Sequence, residues 1–174
     1  MHDCLTVSPA GDGVFVEMSP NVAVCLRTVA EELLAALEAQ EARRPFRRAR
    51  RLADEHLFPD AYDTKEESMA FRQRHGDAMR ETVTATVRRV ATEWAGQAAF
   101  TMNRRAAHDW LVTYTHAQAL VLGRPRWKPN LQTWERLPSG QAEVTMRWLV
   151  YLGAALIDAL IGQPWRPEVL LLTP

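Results

Sequence analysis

A chain of 174 residues with 21 basic and 21 acidic side chains has no net charge, which excludes a surface coated for nucleic acid while leaving room for a local basic patch. Apolar residues make up 47% and charged residues 24%, proportions that exclude wholesale disorder and let a single domain bury a real core. Asp3 and Cys4 stand where a signal peptide needs a basic and then an apolar stretch, and the apolar run 148–157 falls short of the ~20 residues of a membrane span, so a cytoplasmic protein with no membrane partner is expected. Two cysteines without a secretory signal fit a reducing compartment.

The chain opens with two short β-branched stretches, 4–8 and 14–18, around Pro9-Ala10-Gly11-Asp12-Gly13. Glycines beside an aspartate supply the positive-φ positions of a tight reversal, so the pattern predicts a β-hairpin, which must lie on the helical body because a lone hairpin is marginal in water. Ser19-Pro20 then starts a helix, with serine at the N-cap and proline at the first turn. Its apolar stripe runs Val22, Cys25, Leu26, Val29, Leu33, Leu34 and Leu37, ending near Gln40. A short helix is expected over about 47–56, closed by Pro59. Thr64 and Glu67 form a capping-box pattern at the head of a long helix, about 45 Å if unbroken, that carries Met69, Arg72, Met79, Val83, Thr86, Val87, Val90 and Trp94 inward and stops at Gly96. Gly76 is its weakest point and a candidate bend.

Thr101 or Asn103 caps the next helix, with Ala107, Trp110, Leu111, Tyr114, Gln118 and Val121 facing in and Gly123 at its end. A last helix from Ser139 is apolar nearly all round, as central helices are. The expected fold is therefore mainly α: a bundle of four main helices plus a short one, with a small N-terminal β-hairpin. It forms one domain over 1–174, divided into the hairpin (1–18), the helical body (19–162) and an extended apolar tail (163–174).

The residues that invite a function are few. Arg43, Arg44, Arg47, Arg48, Arg50 and Arg51 could neutralise several phosphates. Asp54, Glu55, Asp60, Asp63, Glu66 and Glu67 follow closely enough to cancel such a patch, which then reads as a solvated helix face. A helix-turn-helix across this region would lead into the groove with Glu66 and Glu67, which repel phosphate. Arg124, Arg126, Trp127 and Lys128 form a second basic cluster, with a tryptophan that either stacks on a partner or folds back onto the body. His56, His75, His108 and His116 lack metal-ligand spacing, and no glycine-rich phosphate loop or nucleophile–base pattern occurs. No metal, cofactor or catalytic residue is expected. Cys25 lies on the first helix's apolar stripe, and Cys4 opens the hairpin that docks near it. The two are a candidate redox pair if their Cα atoms come within ~7 Å, and otherwise inert thiols. Residues 57–63 read as a packing corner in which Phe58 and Tyr62 staple the arginine segment to the long helix. A solvent-exposed Phe58 would instead make the corner a partner-binding candidate.

The order of these features resembles a known family. Arg51-Leu52-Ala53 leading to Leu57-Phe58-Pro59-Asp60-Ala61-Tyr62, then Phe71-Arg72, Trp110-Leu111 with Leu120-Val121-Leu122-Gly123, and Trp148-Leu149-Val150-Tyr151-Leu152 are similar to an actinobacterial family long catalogued as a domain of unknown function. Its members commonly lie beside the gene for the ClpS adaptor, and some are named oxidative-stress transcriptional regulators of the AosR type. The resemblance covers roughly 14–161. It implies a non-enzymatic, redox-responsive transcriptional regulator that acts through protein contacts with a sigma factor or RNA polymerase. Direct DNA binding through arginines 43–51, an adaptor role in ClpS/Clp proteolysis, and homodimer formation stand as alternatives or additions.

Overall fold

A computed structural model describes residues 3–41, 57–58, 60–122 and 141–161. The elements run β1 (Leu5–Ala10), β2 (Gly13–Met18), α1 (Pro20–Glu41), α2 (Lys65–Glu93), β3 (Ala99–Asn103), α3 (Arg104–Leu122) and α4 (Gln141–Leu160). The mainly helical fold with an N-terminal hairpin is as the sequence predicts. The expected short helix over 47–56 and the tail 163–174 lie outside the described residues.

The hairpin forms where glycine allows it, with Gly11 at φ +60° in the turn. Its register pairs Leu5 with Met18 and Val7 with Val16, which places those four buried side chains on one face. Pro9 sits on β1, an edge strand, where a missing N–H costs no ladder bond. One strand is not foreseen: 99–103 pairs antiparallel with β2, making a three-stranded sheet in the order β1-β2-β3. Thr101 therefore lies in a strand, and Asn103 alone caps α3, its Oδ1 accepting the Ala106 N–H at 2.9 Å. Gly13 lies so close to the Met102 carbonyl that a Cβ there would collide with backbone.

The first three helices begin on their predicted signals, with one change of role, while Ser139, the expected start of α4, lies outside the described residues. The Ser19 carbonyl accepts the Ala23 N–H at 3.0 Å, while the Ser19 hydroxyl donates to the Asp3 carboxylate at 3.1 Å instead of capping α1. Thr64 accepts the Glu67 N–H at 3.3 Å and donates its hydroxyl to the Glu67 carboxylate at 2.7 Å. α2 runs without interruption through Gly76 and ends at Trp94, short of Gly96, which takes φ +90° in the link that follows.

The helices alternate in direction. Arg88 meets Glu38 between α2 and α1, Arg89 meets Asp109 between α2 and α3, and Gln118 donates to the Leu149 carbonyl between α3 and α4. Val22, Leu26, Val29, Leu33 and Leu37 of α1, Val83, Val87 and Val90 of α2, Ala107, Trp110, Tyr114 and Val121 of α3, and Leu149, Leu152 and Leu156 of α4 build one core with the sheet's inner face. α4 is less enclosed than its composition suggests, since Val150, Ile157 and Ile161 remain exposed. Among the described residues, no helix is long and apolar enough to cross a membrane.

Tyr114 is fully buried, and its hydroxyl donates to the Leu26 carbonyl at 3.4 Å. Burial, with a smaller contribution from Cys25, raises its phenol well above the ordinary value. Below about pH 10 the folded and unfolded chains both keep this proton. Above it only the unfolded chain ionises, so stability falls by about 1.4 kcal/mol per pH unit on this account. Urea denaturation at pH 10 and pH 11 is expected to show Tyr114→Phe losing less stability over that step than the parent, by about 1 kcal/mol, because the unfolded phenol is already half ionised at pH 10. Gly13→Ala is expected to cost about 1–3 kcal/mol, because β2 cannot move away from β3 without breaking the sheet; thermal melts measure it.

Candidate partner-docking groove

The chain from Leu57 to the head of α2 folds back along that helix and is pinned at two points. The Ser68 hydroxyl donates to the Tyr62 carbonyl at 3.0 Å and accepts the Tyr62 N–H at 3.2 Å. Arg72 donates to the Phe58 carbonyl at 3.0 Å and pairs with Asp60 at 2.8 Å. Leu57, 3% exposed, enters the core. Phe58 lies between the Arg80 guanidinium, 5.4 Å from its ring centre, and His116 at 5.8 Å. Tyr62 sets its ring edge-on to Phe71 at 5.7 Å, and Phe71 in turn meets His75 at 4.9 Å.

Both rings of the expected packing corner make contacts, Phe58 on the core and Tyr62 on Phe71, but they are not equally enclosed. Phe58 is half-buried and packs on the core, but Tyr62 is 51% exposed. The reason lies in α2, whose 29 residues span about 43 Å. Its buried positions are Ser68 and then Val83, Thr84, Thr86, Val87 and Val90, so nothing between them enters the core. Met69 and Met79, expected to face inward, are 56% and 40% exposed. Between the corner, this half of α2 and α3 opens a groove of about 590 Å³, lined mainly by Leu57, Phe58, Ala61, Phe71, Ala78, Met79 and Val83, with Asp60, His75 and His116 among its polar residues. An apolar trough with a few polar groups at its edge can hold an amphipathic segment.

A family model described as a domain of unknown function, DUF2017, matches residues 4–160, from β1 to the end of α4. The chain belongs to the DUF2017 family. No curated protein and no solved structure matches it.

The other residues singled out in this DUF2017 chain fall elsewhere. Arg43, Arg44, Arg47, Arg48, Arg50, Arg51, Arg124, Arg126, Trp127 and Lys128 lie outside the described residues, as do His56 and Pro59. Cys4 is an exposed free thiol and Cys25 a half-buried one, with its Sγ 3.3 Å from the Thr145 hydroxyl. Burial raises the Tyr151 phenol, and Cys4 adds to the effect. Among the described residues no three His, Cys, Asp or Glu side chains gather to hold a metal. His75 and His116 instead line the groove, a role that their positions on helices did not signal. The readable clue was a surplus: α2 carries more apolar stripe than α1 and α3, its neighbours among the described helices, cover.

Ser68→Ala removes both bonds that hold Tyr62. It is expected to cost about 1–2 kcal/mol and to speed hydrogen exchange at the Tyr62 amide while leaving the Val87 and Val90 amides protected, as read by exchange mass spectrometry.

Proposed function

We propose that this DUF2017 chain is a non-enzymatic transcriptional regulator of the AosR-like kind, which docks an amphipathic helix of RNA polymerase or a sigma factor in the groove beside residues 57–63. The observation that carries this reading is the apolar, methionine-bearing groove on a half-helix that the other described elements leave bare. Helix-in-groove recognition needs such a trough, and methionine's flexible thioether adapts to an incoming face. The resemblance to oxidative-stress regulators supplies the kind of partner. Neutral overall charge fits a role in which protein contact, not phosphate attraction, supplies the affinity. Cys4 and Cys25 enter as two separate free thiols, the candidates for any response to oxidation.

Affinity capture with the tagged full chain tests this directly. The parent is expected to retain polymerase or a sigma factor, and Met79→Glu, which places a charge in the trough at an already exposed position, is expected to weaken retention at least about tenfold. Val24→Glu, on α1 away from the groove, serves as the matched control and is expected to bind normally. Equal retention by the Met79 variant, or retention of no transcription component, overturns the reading.

A further inference from the structure

A second cavity, of about 320 Å³, lies at the other end of α2, between Val90, Glu93 and Trp94, the link at Gln97, strand β3 from Phe100 to Asn103, and Ala106, Asp109 and Trp110 of α3. Its wall is aromatic. Trp94 and Trp110 meet at 4.9 Å, Phe100 and Trp110 at 5.1 Å, and Trp94 and Phe100 at 6.0 Å. The ionisable residues in its lining, Glu93 and Asp109, are both acidic. Asp109 is held by Arg89 through two bonds, at 2.9 and 3.0 Å, so its charge is largely met. Glu93 is exposed and has no salt bridge among the described residues. Each tryptophan is only 4% exposed. Trp94 donates its indole N–H to the Gln97 carbonyl at 3.1 Å, whereas the Trp110 N–H has no acceptor among the described residues and is not sealed from solvent.

We propose that this cavity binds a small organic cation, an amine or guanidinium on a compact aromatic or aliphatic body. Glu93 at the cavity supplies a full negative charge, and the partly exposed Phe100 ring adds the attraction of its quadrupole, so the two together select positive over neutral ligands of equal shape. The apolar wall takes the body, Glu93 takes the charged head, and the open Trp110 N–H is a donor for an acceptor atom on the ligand. An anion meets the Glu93 charge, and the nearby cation, Arg89, is already engaged by Asp109. This site shares α2 with the docking groove but none of its lining residues, and its test is independent of the partner.

Three probes with one hydroxyphenyl-ethyl body separate the terms: tyramine (cationic), tyrosol (neutral) and 4-hydroxyphenylacetate (anionic). Calorimetry and saturation-transfer NMR on the full chain are expected to show tyramine binding about tenfold more tightly than tyrosol, with the anion not competing. Glu93→Gln, at an exposed position, is expected to lower tyramine affinity about fivefold or more and to leave tyrosol unchanged. Ala106→Phe, which fills the cavity, is expected to abolish both, and its melting temperature confirms that it folds. Absence of tyramine binding, equal affinity for tyramine and tyrosol, or binding that survives in a folded Ala106→Phe variant overturns the proposal.

Discussion

The bundle depends on the aromatic seam that runs from Trp94 through Trp110 to Tyr114. Ring centres 4.9 and 5.2 Å apart join the end of α2 to α3, and the Tyr114 hydroxyl carries the chain of contacts to the backbone of α1. Phe100 brings β3 into the same cluster. Buried aromatic pairs stabilise by area and by ring geometry together, so this seam resists sliding as well as separation. It fastens α2 at its C-terminal end. Since α2 is longer than the helices beside it, fastening one end forces the other to project beyond the core, and the groove follows from that mismatch.

The projecting half is not left loose. Ser68 holds both polar groups of the Tyr62 backbone, and Arg72 holds the Phe58 carbonyl and the Asp60 carboxylate. Each is a local tie of modest strength, but together they fix the trough wall before any partner arrives. A pre-formed wall lowers the ordering cost of binding. The floor behaves differently: Met79 and Ala78 are exposed and touch little, so the surface combines a fixed edge with an adaptable centre.

Much of the fold is legible because its signals are local. Pro20, the Thr64–Glu67 box and Asn103 mark helix starts within a residue or two, and Gly11 marks the hairpin. Strand β3 is not legible. Its five residues hold one β-branched side chain, and it becomes a strand only because β2 presents an open edge to it across a long stretch of intervening chain. Gly13 shows the same blindness: it reads as a turn residue, yet its lack of a side chain matters because Met102 comes so close. The inward stripe of α2 is legible too, but periodicity says which residues share a face and not what covers them. Met69 and Met79 belong to the stripe and still lie in the open. The surroundings of Cys25 are illegible for a related reason, since a stripe position on α1 does not reveal that α4 sets the Thr145 hydroxyl 3.3 Å from its Sγ.

These distinctions bear on the proposed regulator role. A protein that reads DNA through a helix needs cations at the head of that helix, and α2 opens with Glu66 and Glu67 in its first turn. Those acids complement the helix dipole and stabilise the exposed end, which is what a free-standing helix terminus requires. The same choice repels phosphate. The exposed half of α2 is thus acidic at its tip, apolar along one side and tied by Arg72 and Ser68 to the corner behind it. These features fit the proposed docking of a protein segment better than the entry of the α2 terminus into a DNA groove.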